Sequence, residues 1–286
     1  MADMQTVQWF PGHMAKTRRM IADCLPLVDC VAELADARIP QSSRNPELDA
    51  LCAGKPRILL LTKADLADAN ATAGWVTHYQ AQDLHTLAVD CKSGTGLNRF
   101  LPLLKDVLRD KIERNTQKEQ NRPLRVLVAG IPNVGKSTFI NHMAGGRRAK
   151  TENRPGVTRG RQWVTLRGGV ELLDTPGVLW PKFEDPAVGE KLAFIGSVKD
   201  TVLDTEELAA RLLELLAPHY ADALTVRFKC KGELPREGGA LLEAVARGRG
   251  FLISGGEADT LRASGTVLEE YRAGKLGQIT LEWAED

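Results

Sequence analysis

The run Gly130-Ile131-Pro132-Asn133-Val134-Gly135-Lys136-Ser137 carries two glycines, a lysine and a hydroxyl at the spacing GxxxxGK[ST]. A loop of this kind turns backbone N–H groups toward one point, where they and a following helix N-terminus surround a phosphate. The N–H groups of Asn133, Val134, Gly135, Lys136, Ser137 and Thr138 are the expected phosphate donors. Lys136 would neutralise β- and γ-oxygens and so assist transfer of the γ-phosphoryl group, and the Ser137 hydroxyl would ligate Mg²⁺. The alternative is a fortuitous Gly-rich turn. The flanks argue against it: the apolar strand Leu124–Ala129 runs into the loop, and a helical segment, Lys136–Ala144, leaves it.

Asp174-Thr175-Pro176-Gly177 ends a later pair of short strands. Alone it reads as an ordinary turn. Downstream of a phosphate loop, the Asp174 carboxylate becomes a second support for Mg²⁺ and the Gly177 N–H can reach a γ-phosphate. Thr158 lies between the two motifs and is the natural second hydroxyl on Mg²⁺, with a plain loop threonine as the alternative.

Two more loops lie upstream. Thr62-Lys63-Ala64-Asp65 ends the apolar run Arg57–Thr62, and resembles the NKxD motif of GTPases. There the aspartate accepts from N1–H and the exocyclic amine of guanine, while the lysine stem packs on the ring. Asp65 would therefore separate GTP from ATP. Thr62 stands where an asparagine is usual and cannot supply an amide contact to the guanine and the phosphate loop, so lower affinity is expected. Asp90-Cys91-Lys92-Ser93 occupies the place of a second base loop, whose backbone N–H meets guanine O6; Cys91 and Lys92 are its contact candidates.

The elements that must hold these loops alternate. Val28–Ala35, Arg57–Thr62, His85–Val89 and Leu124–Ala129 read as buried strands. Helical segments at Glu47–Cys52, Asn70–Gln80 and Asn98–Ile112 lie between them, which implies right-handed βαβ units and a mainly parallel sheet. Gln162–Leu166 and Val170–Leu173 read as a ribbon turned at Gly168-Gly169. From about residue 200 helices dominate: Glu206–Leu216, Gly239–Arg247 and Ala258–Ala273. The expected organisation is an α/β domain over 1–200 and a small all-helical C-terminal domain over 201–286. The motif order is base, base, phosphate, switch, Mg²⁺, which is that of a circularly permuted P-loop GTPase domain with helices on both sheet faces.

Global composition adds exclusions. Net charge is +1 over 286 residues, so any polyanion-binding surface must come from local clustering. The five cysteines show no zinc spacing and read as reduced thiols. No apolar run reaches transmembrane length and the N-terminus lacks a signal-peptide core, so a cytoplasmic protein without a membrane partner is expected. Between residues 144 and 168, Arg147, Arg148, Lys150, Arg154, Arg159, Arg161 and Arg167 stand against Glu152 alone. This is either a solvated loop or an RNA contact beside the switch. A second basic stretch runs from Thr225 to Gly250, with Lys275 beyond it.

Trp9-Phe10-Pro11-Gly12-His13-Met14, GIPNVGKST, DTPGVLWPK and GKLGQITLE, in this order, resemble the YlqF-type circularly permuted GTPases, the ribosome biogenesis GTPase A family. The resemblance runs from Trp9 to Glu282. It implies a GTP-hydrolysing switch that binds GTP and GDP with Mg²⁺. It also implies a monomer of the bacterial cytoplasm, or a mitochondrial relative, that assists late assembly of the large ribosomal subunit and contacts its rRNA. Arg147, Arg148, Lys150, Arg159 and Arg161 are the contacts expected from the charge cluster. Val178 follows the switch glycine where Ras-like enzymes hold a glutamine, so the water must be positioned by another group. Asn133 resembles the asparagine that ligates K⁺ in K⁺-dependent GTPases, or it caps the turn. The resemblance implicates His13 in catalysis; capping of the helix that starts near Met14 is the alternative. A P-loop ATPase or kinase and a pure RNA-binding module are the competing classes.

Overall fold

The computed structural model describes residues 11–120, 122–146, 162–177, 179–180, 185–198 and 204–284, with side chains from residue 18 onward. The chain divides at Glu184/Asp185 and again at Leu281/Glu282, giving two compact units: an α/β unit that also holds the last residues, and a helical unit from Asp185 to Leu281.

In the α/β unit the strands are β1 (Cys30–Asp36), β2 (Arg57–Thr62), β3 (His85–Ala88), β4 (Leu124–Gly130), β5 (Gln162–Leu166) and β6 (Val170–Asp174). They form one sheet in the order β3-β2-β1-β4-β6-β5, parallel except for the β5–β6 hairpin. β1 is buried at every position, as a strand covered on both faces and paired on both edges requires. Its register sets Cys30 against Val126 of β4 and Val31 against Arg57 of β2.

Helices α1 (Pro11–Cys24), α2 (Pro46–Leu51), α3 (Ala69–Ala81), α4 (Phe100–Val107), α5 (Arg109–Gln117) and α6 (Lys136–Met143) belong to this unit. Ile21 and Cys24 of α1 and Leu48 of α2 pack with Val31, Leu127 and Leu173. Trp75 and Tyr79 of α3, stacked with ring centroids 5.3 Å apart, pack on Ala35, Leu59 and Leu61. Phe100 of α4 meets Phe139 of α6 edge to face at 5.1 Å. α5 extends into the polar run before β4 and buries none of its residues. Its Lys111 ammonium instead ties it to the sheet by bonding the buried Asp29 carboxylate just before β1.

The helical unit comprises α7 (Pro186–Phe194), α8 (Thr205–Phe228), α9 (Gly238–Arg249) and α10 (Thr260–Arg272). Asp185, Asp204 and Asp259 cap α7, α8 and α10 through side-chain bonds to first-turn N–H groups. Pro218 sits inside α8, which kinks at Tyr220 (φ −131°) yet continues, because Leu224 and Phe228 beyond the kink are buried. Leu252 and Ala258 form an isolated antiparallel bridge. Arg227 and Arg249, both from the basic stretch, pair with Glu270 at 2.8 and 3.3 Å. No described helix is long and apolar enough to cross a membrane. All five cysteines are buried free thiols.

Candidate functional site

Loops follow the C-terminal ends of β1, β2, β3, β4 and β6. These strands are parallel, so the loops open on one edge of the sheet, the usual place for a ligand in an open α/β sheet. β4, the strand before the phosphate loop, lies at the centre between β1 and β6.

Gly130 leaves β4 at φ 149°, and a Cβ there would stand 2.5 Å from the Leu34 carbonyl, so only glycine passes β1 this closely. Asn133 at φ 59° and Gly135 at φ 105° then turn the chain so that α6 begins at Lys136. The Lys136 side chain is buried and folds back over its own loop, with Nζ donating to the Gly130 and Ile131 carbonyls at 3.0 and 2.7 Å. Burial pulls its pKa down to about 8, against the opposing pull of Asp174. Ser137 and Thr138 are half-buried on the first turn of α6, and Val134 is fully buried beneath the loop.

Asp174 ends β6 at 1% exposure. Its Oδ1 is buried without a hydrogen-bond partner, and burial raises the carboxyl's pKa while Lys136 lowers it. An orphaned carboxylate oxygen carries a desolvation cost that a bound cation would relieve. With the Ser137 hydroxyl as a further oxygen donor, the residues present fit a hard cation such as Mg²⁺. The turn that follows rides on the phosphate loop: a Cβ at Gly177 would lie 2.6 Å from the Pro132 nitrogen. The Thr175 hydroxyl anchors this turn by donating to the Val128 carbonyl at 2.8 Å.

At the end of β2, the buried Thr62 hydroxyl lies 2.6 Å from the Val134 carbonyl and 3.0 Å from the Ala35 carbonyl. The contact to the phosphate loop that a threonine was expected to lack is therefore present. A hydroxyl in place of an amide supplies it, because the strands bring the two backbones close enough. Lys63 adopts φ 56°, and its ammonium lies 2.9 Å from Asp36 Oδ2. Asp65 is exposed, yet its carboxyl is partly shielded from water, and this desolvation and then repulsion from Asp90 raise its pKa. In the β3 loop, Asp90 accepts from the Lys92 and Ser93 N–H groups at 2.8 and 3.2 Å. Of the three residues after Asp90, only Cys91 keeps its N–H out of hydrogen bonds.

Asp36 and Arg38 form a fully buried pair that sequence reasoning missed. Arg38 Nε and Nη2 donate to Asp36 Oδ1 and Oδ2 at 2.9 and 2.8 Å. Burial alone would raise the Asp36 pKa, but Arg38 and Lys63 outweigh it and hold the carboxyl far below the usual range. The available signal was Asp-Ala-Arg placed directly after an apolar strand, since buried charges at a strand end require partners.

Thr158, Arg147, Arg148, Lys150, Arg159, Arg161 and Val178 lie outside the described residues. His13 falls in the first turn of α1, and its side chain is also outside the description.

A family described as 50S ribosome-binding GTPase matches residues 125–223. Ribosome biogenesis GTPase A of Priestia megaterium is 45% identical, with 97% of this chain and 96% of that protein covered. Its Bacillus licheniformis counterpart is 44% identical, with 98% and 99% covered. The crystal structure of GNP-bound YlqF from T. maritima superposes with a TM-score of 0.67 at 30% identity, covering 95% of this chain and 99% of that one. Similarity of this level, sustained along both chains and joined to a shared fold, shows that the chain belongs to the ribosome biogenesis GTPase A family and is a GTP hydrolase.

Proposed function

We propose that the chain is a circularly permuted G domain whose GTP form engages the precursor of the large ribosomal subunit and assists its late assembly. One observation carries the nucleotide part. Two base loops, on β2 and β3, and a phosphate loop, on β4, open on the same edge of one sheet although the chain makes them in the order base, then phosphate. Joining β6 to β1 and opening the chain before β4 would leave every strand neighbour unchanged.

In this reading Asp65 accepts from guanine N1–H and the exocyclic amine, and the Lys63 stem covers the ring. The Cys91 N–H meets O6, since the Lys92 and Ser93 N–H groups beside it are taken by the Asp90 carboxylate. The phosphates lie on the N–H groups of Asn133 to Thr138, with Lys136 on the β- and γ-oxygens and Gly177 at the γ-position. Ser137, Thr158 and Asp174 would hold Mg²⁺, which supplies charge neutralisation at the transferred phosphoryl group. Asn133 would hold K⁺, and His13 would assist the attacking water.

The names of the relatives support the ribosomal part, and the arginines and lysines of 147–161 supply a basic segment beside the switch threonine. Sequence placed the RNA-contacting domain at 201–286, and the helical unit is compact from Asp185 to Leu281. We assign the protein to the cytoplasm as a monomer.

The test has two stages. GTP and GDP should displace a labelled guanine nucleotide orders of magnitude better than ATP, and Asp65→Asn should shift preference toward xanthosine nucleotides. Precursor particles of the large subunit should then cosediment with the protein bound to a non-hydrolysable GTP analogue, and less with its GDP form. Equal competition by ATP would reject the base site; nucleotide-independent cosedimentation would reject the switch.

A further inference from the structure

Glu282 belongs to the α/β unit although it lies at the far end of the chain, one residue past the helical unit. Its carboxyl is nearly buried, at 8% exposure for the residue. Oε2 accepts from the Gln41 and Ser42 N–H groups at 2.8 and 3.1 Å, and Oε1 accepts from the Ser42 hydroxyl. The Glu282 carbonyl accepts from Trp75 Nε1 at 2.9 Å, and Ala284 packs against the cluster containing Ala35, Ala37 and Trp75.

The loop so held is the one that shapes the surroundings of Asp36. Ser43 Oγ accepts from the Asp36 N–H at 2.8 Å and donates to the Ile39 carbonyl at 2.6 Å, while the Ser43 N–H donates to Ile39 at 2.9 Å. The Ile39 N–H returns to the Asp36 carbonyl at 3.0 Å. Asp36 in turn holds Lys63. A continuous set of bonds thus runs from Glu282 through residues 41–43 to Asp36 and the lysine of the base loop. Gln41 and Ser42 present their N–H groups to one carboxylate oxygen as the first turn of a helix does to a capping acid.

We infer that Glu282 is a positioning residue for guanine-nucleotide binding, acting through the 41–43 loop and Asp36 on Lys63. The inference rests on the base-site reading of Lys63 and Asp65. Without Glu282 the two N–H groups and the Ser42 hydroxyl lose their acceptor and the loop relaxes; the Asp36 backbone, which Ser43 and Ile39 bond, shifts with it, and the carboxylate, still paired with Arg38, meets the Lys63 ammonium less well. The lysine stem then covers the ring less well in GDP and GTP alike. Chemistry at the γ-phosphate, which depends on the opposite end of the site, is untouched. By linkage, whatever draws the last residues of the chain off the α/β unit weakens guanine-nucleotide binding, and bound nucleotide holds them down.

The test uses the full chain. GDP and a non-hydrolysable GTP analogue are titrated calorimetrically into wild type, Glu282→Ala and Glu282→Gln, and single-turnover hydrolysis is measured at saturating GTP. Glu282→Ala should raise both Kd values by the same factor, about tenfold, a usual size for coupling between sites. Glu282→Gln, which keeps one acceptor oxygen, should raise them by less, and saturated hydrolysis should stay within about twofold of wild type. Should Glu282→Ala fail to fold, Ser42→Ala removes one of the three bonds and should give a smaller rise of the same kind. A variant that melts lower with unchanged Kd values would overturn the inference, as would slower saturated hydrolysis at unchanged affinity. A wild type that binds ATP as tightly as GTP would overturn the base-site reading itself, and is seen before any variant is made.

Discussion

The Thr62 hydroxyl lies 2.6 Å from the Val134 carbonyl, which ties the end of β2 to the phosphate loop across 72 positions of sequence. Both groups are fully buried. Thr62→Val keeps the shape and removes the donor, leaving the Val134 carbonyl without that partner in a dry site. The expected cost is about 1–3 kcal/mol of stability. Affinity for GDP should fall as well, because the two halves of the site lose a common anchor. Thermal melting and GDP titration check this, and a variant with wild-type melting and affinity would show the bond to be incidental.

Nucleotide affinity should pass through a maximum with pH. The Lys136 pKa is held down to about 8 by burial, and phosphates favour its charged form. Above about pH 8 the free protein loses that proton, so affinity falls as pH rises and binding takes up a proton. On the acid side, burial and Asp90 raise the Asp65 pKa, so its carboxylate protonates sooner than an ordinary aspartate and the guanine contact weakens as pH falls. Calorimetry in buffers of different ionisation enthalpy measures the proton uptake. Affinity that stays flat through pH 9 would contradict the role given to Lys136.

Hydrolysis should be faster in K⁺ than in Na⁺ at equal ionic strength, through Asn133. The residue adopts φ 59°, a conformation that asparagine and glycine tolerate and alanine does not. Asn133→Gly is therefore the cleaner variant, since it removes the carboxamide without straining the loop. It should abolish the difference between the two salts while GDP affinity changes little. Equal wild-type rates in both salts would remove the ion from the mechanism.

His13→Ala should lower turnover stimulated by large ribosomal subunits and leave GTP affinity nearly unchanged. The residue lies in the first turn of α1, outside both the base loops and the phosphate loop. A neutral imidazole brought to the γ-phosphate could accept a proton from the attacking water. If His13 only caps α1, the variant melts lower and hydrolyses at the wild-type stimulated rate. Single-turnover kinetics with saturating subunits, beside a melting curve, separate the two.

The sheet was legible because its signals are local. Arg57–Thr62 reads as a strand from its apolar run and forms β2 over the same residues, and the phosphate loop announces itself by glycine spacing and flanks. Asp36, Arg38 and Glu282 were not legible, since their importance depends on partners brought together by folding. Nothing near Glu282 in sequence hints at Ser42, 240 positions away. α8 shows a different failure. The apolar periodicity marks only Glu206–Leu216, and a proline at 218 normally ends a helix, but burial of Leu224 and Phe228 outweighs the lost bond and the helix runs on to Phe228. α7 escaped notice because it is short, and the helical unit accordingly begins at Asp185, before the change of pattern near residue 200.

The pairing of β1 with β4 sets an order of events during synthesis. β1, β2 and β3 and both base loops are complete by Ser93, and each strand finds its partner close by in the chain. The inner edge of β1 must then wait for Leu124–Gly130 to be made, because β4 alone covers it. Until then the nascent protein carries an open, apolar strand edge, the kind of surface that pairs wrongly if left exposed. The phosphate loop that leaves β4 and the helix that opens at Lys136 are made only after that strand. On the proposed reading of these loops, the newly made chain completes the half that would meet guanine well before it can hold a whole nucleotide.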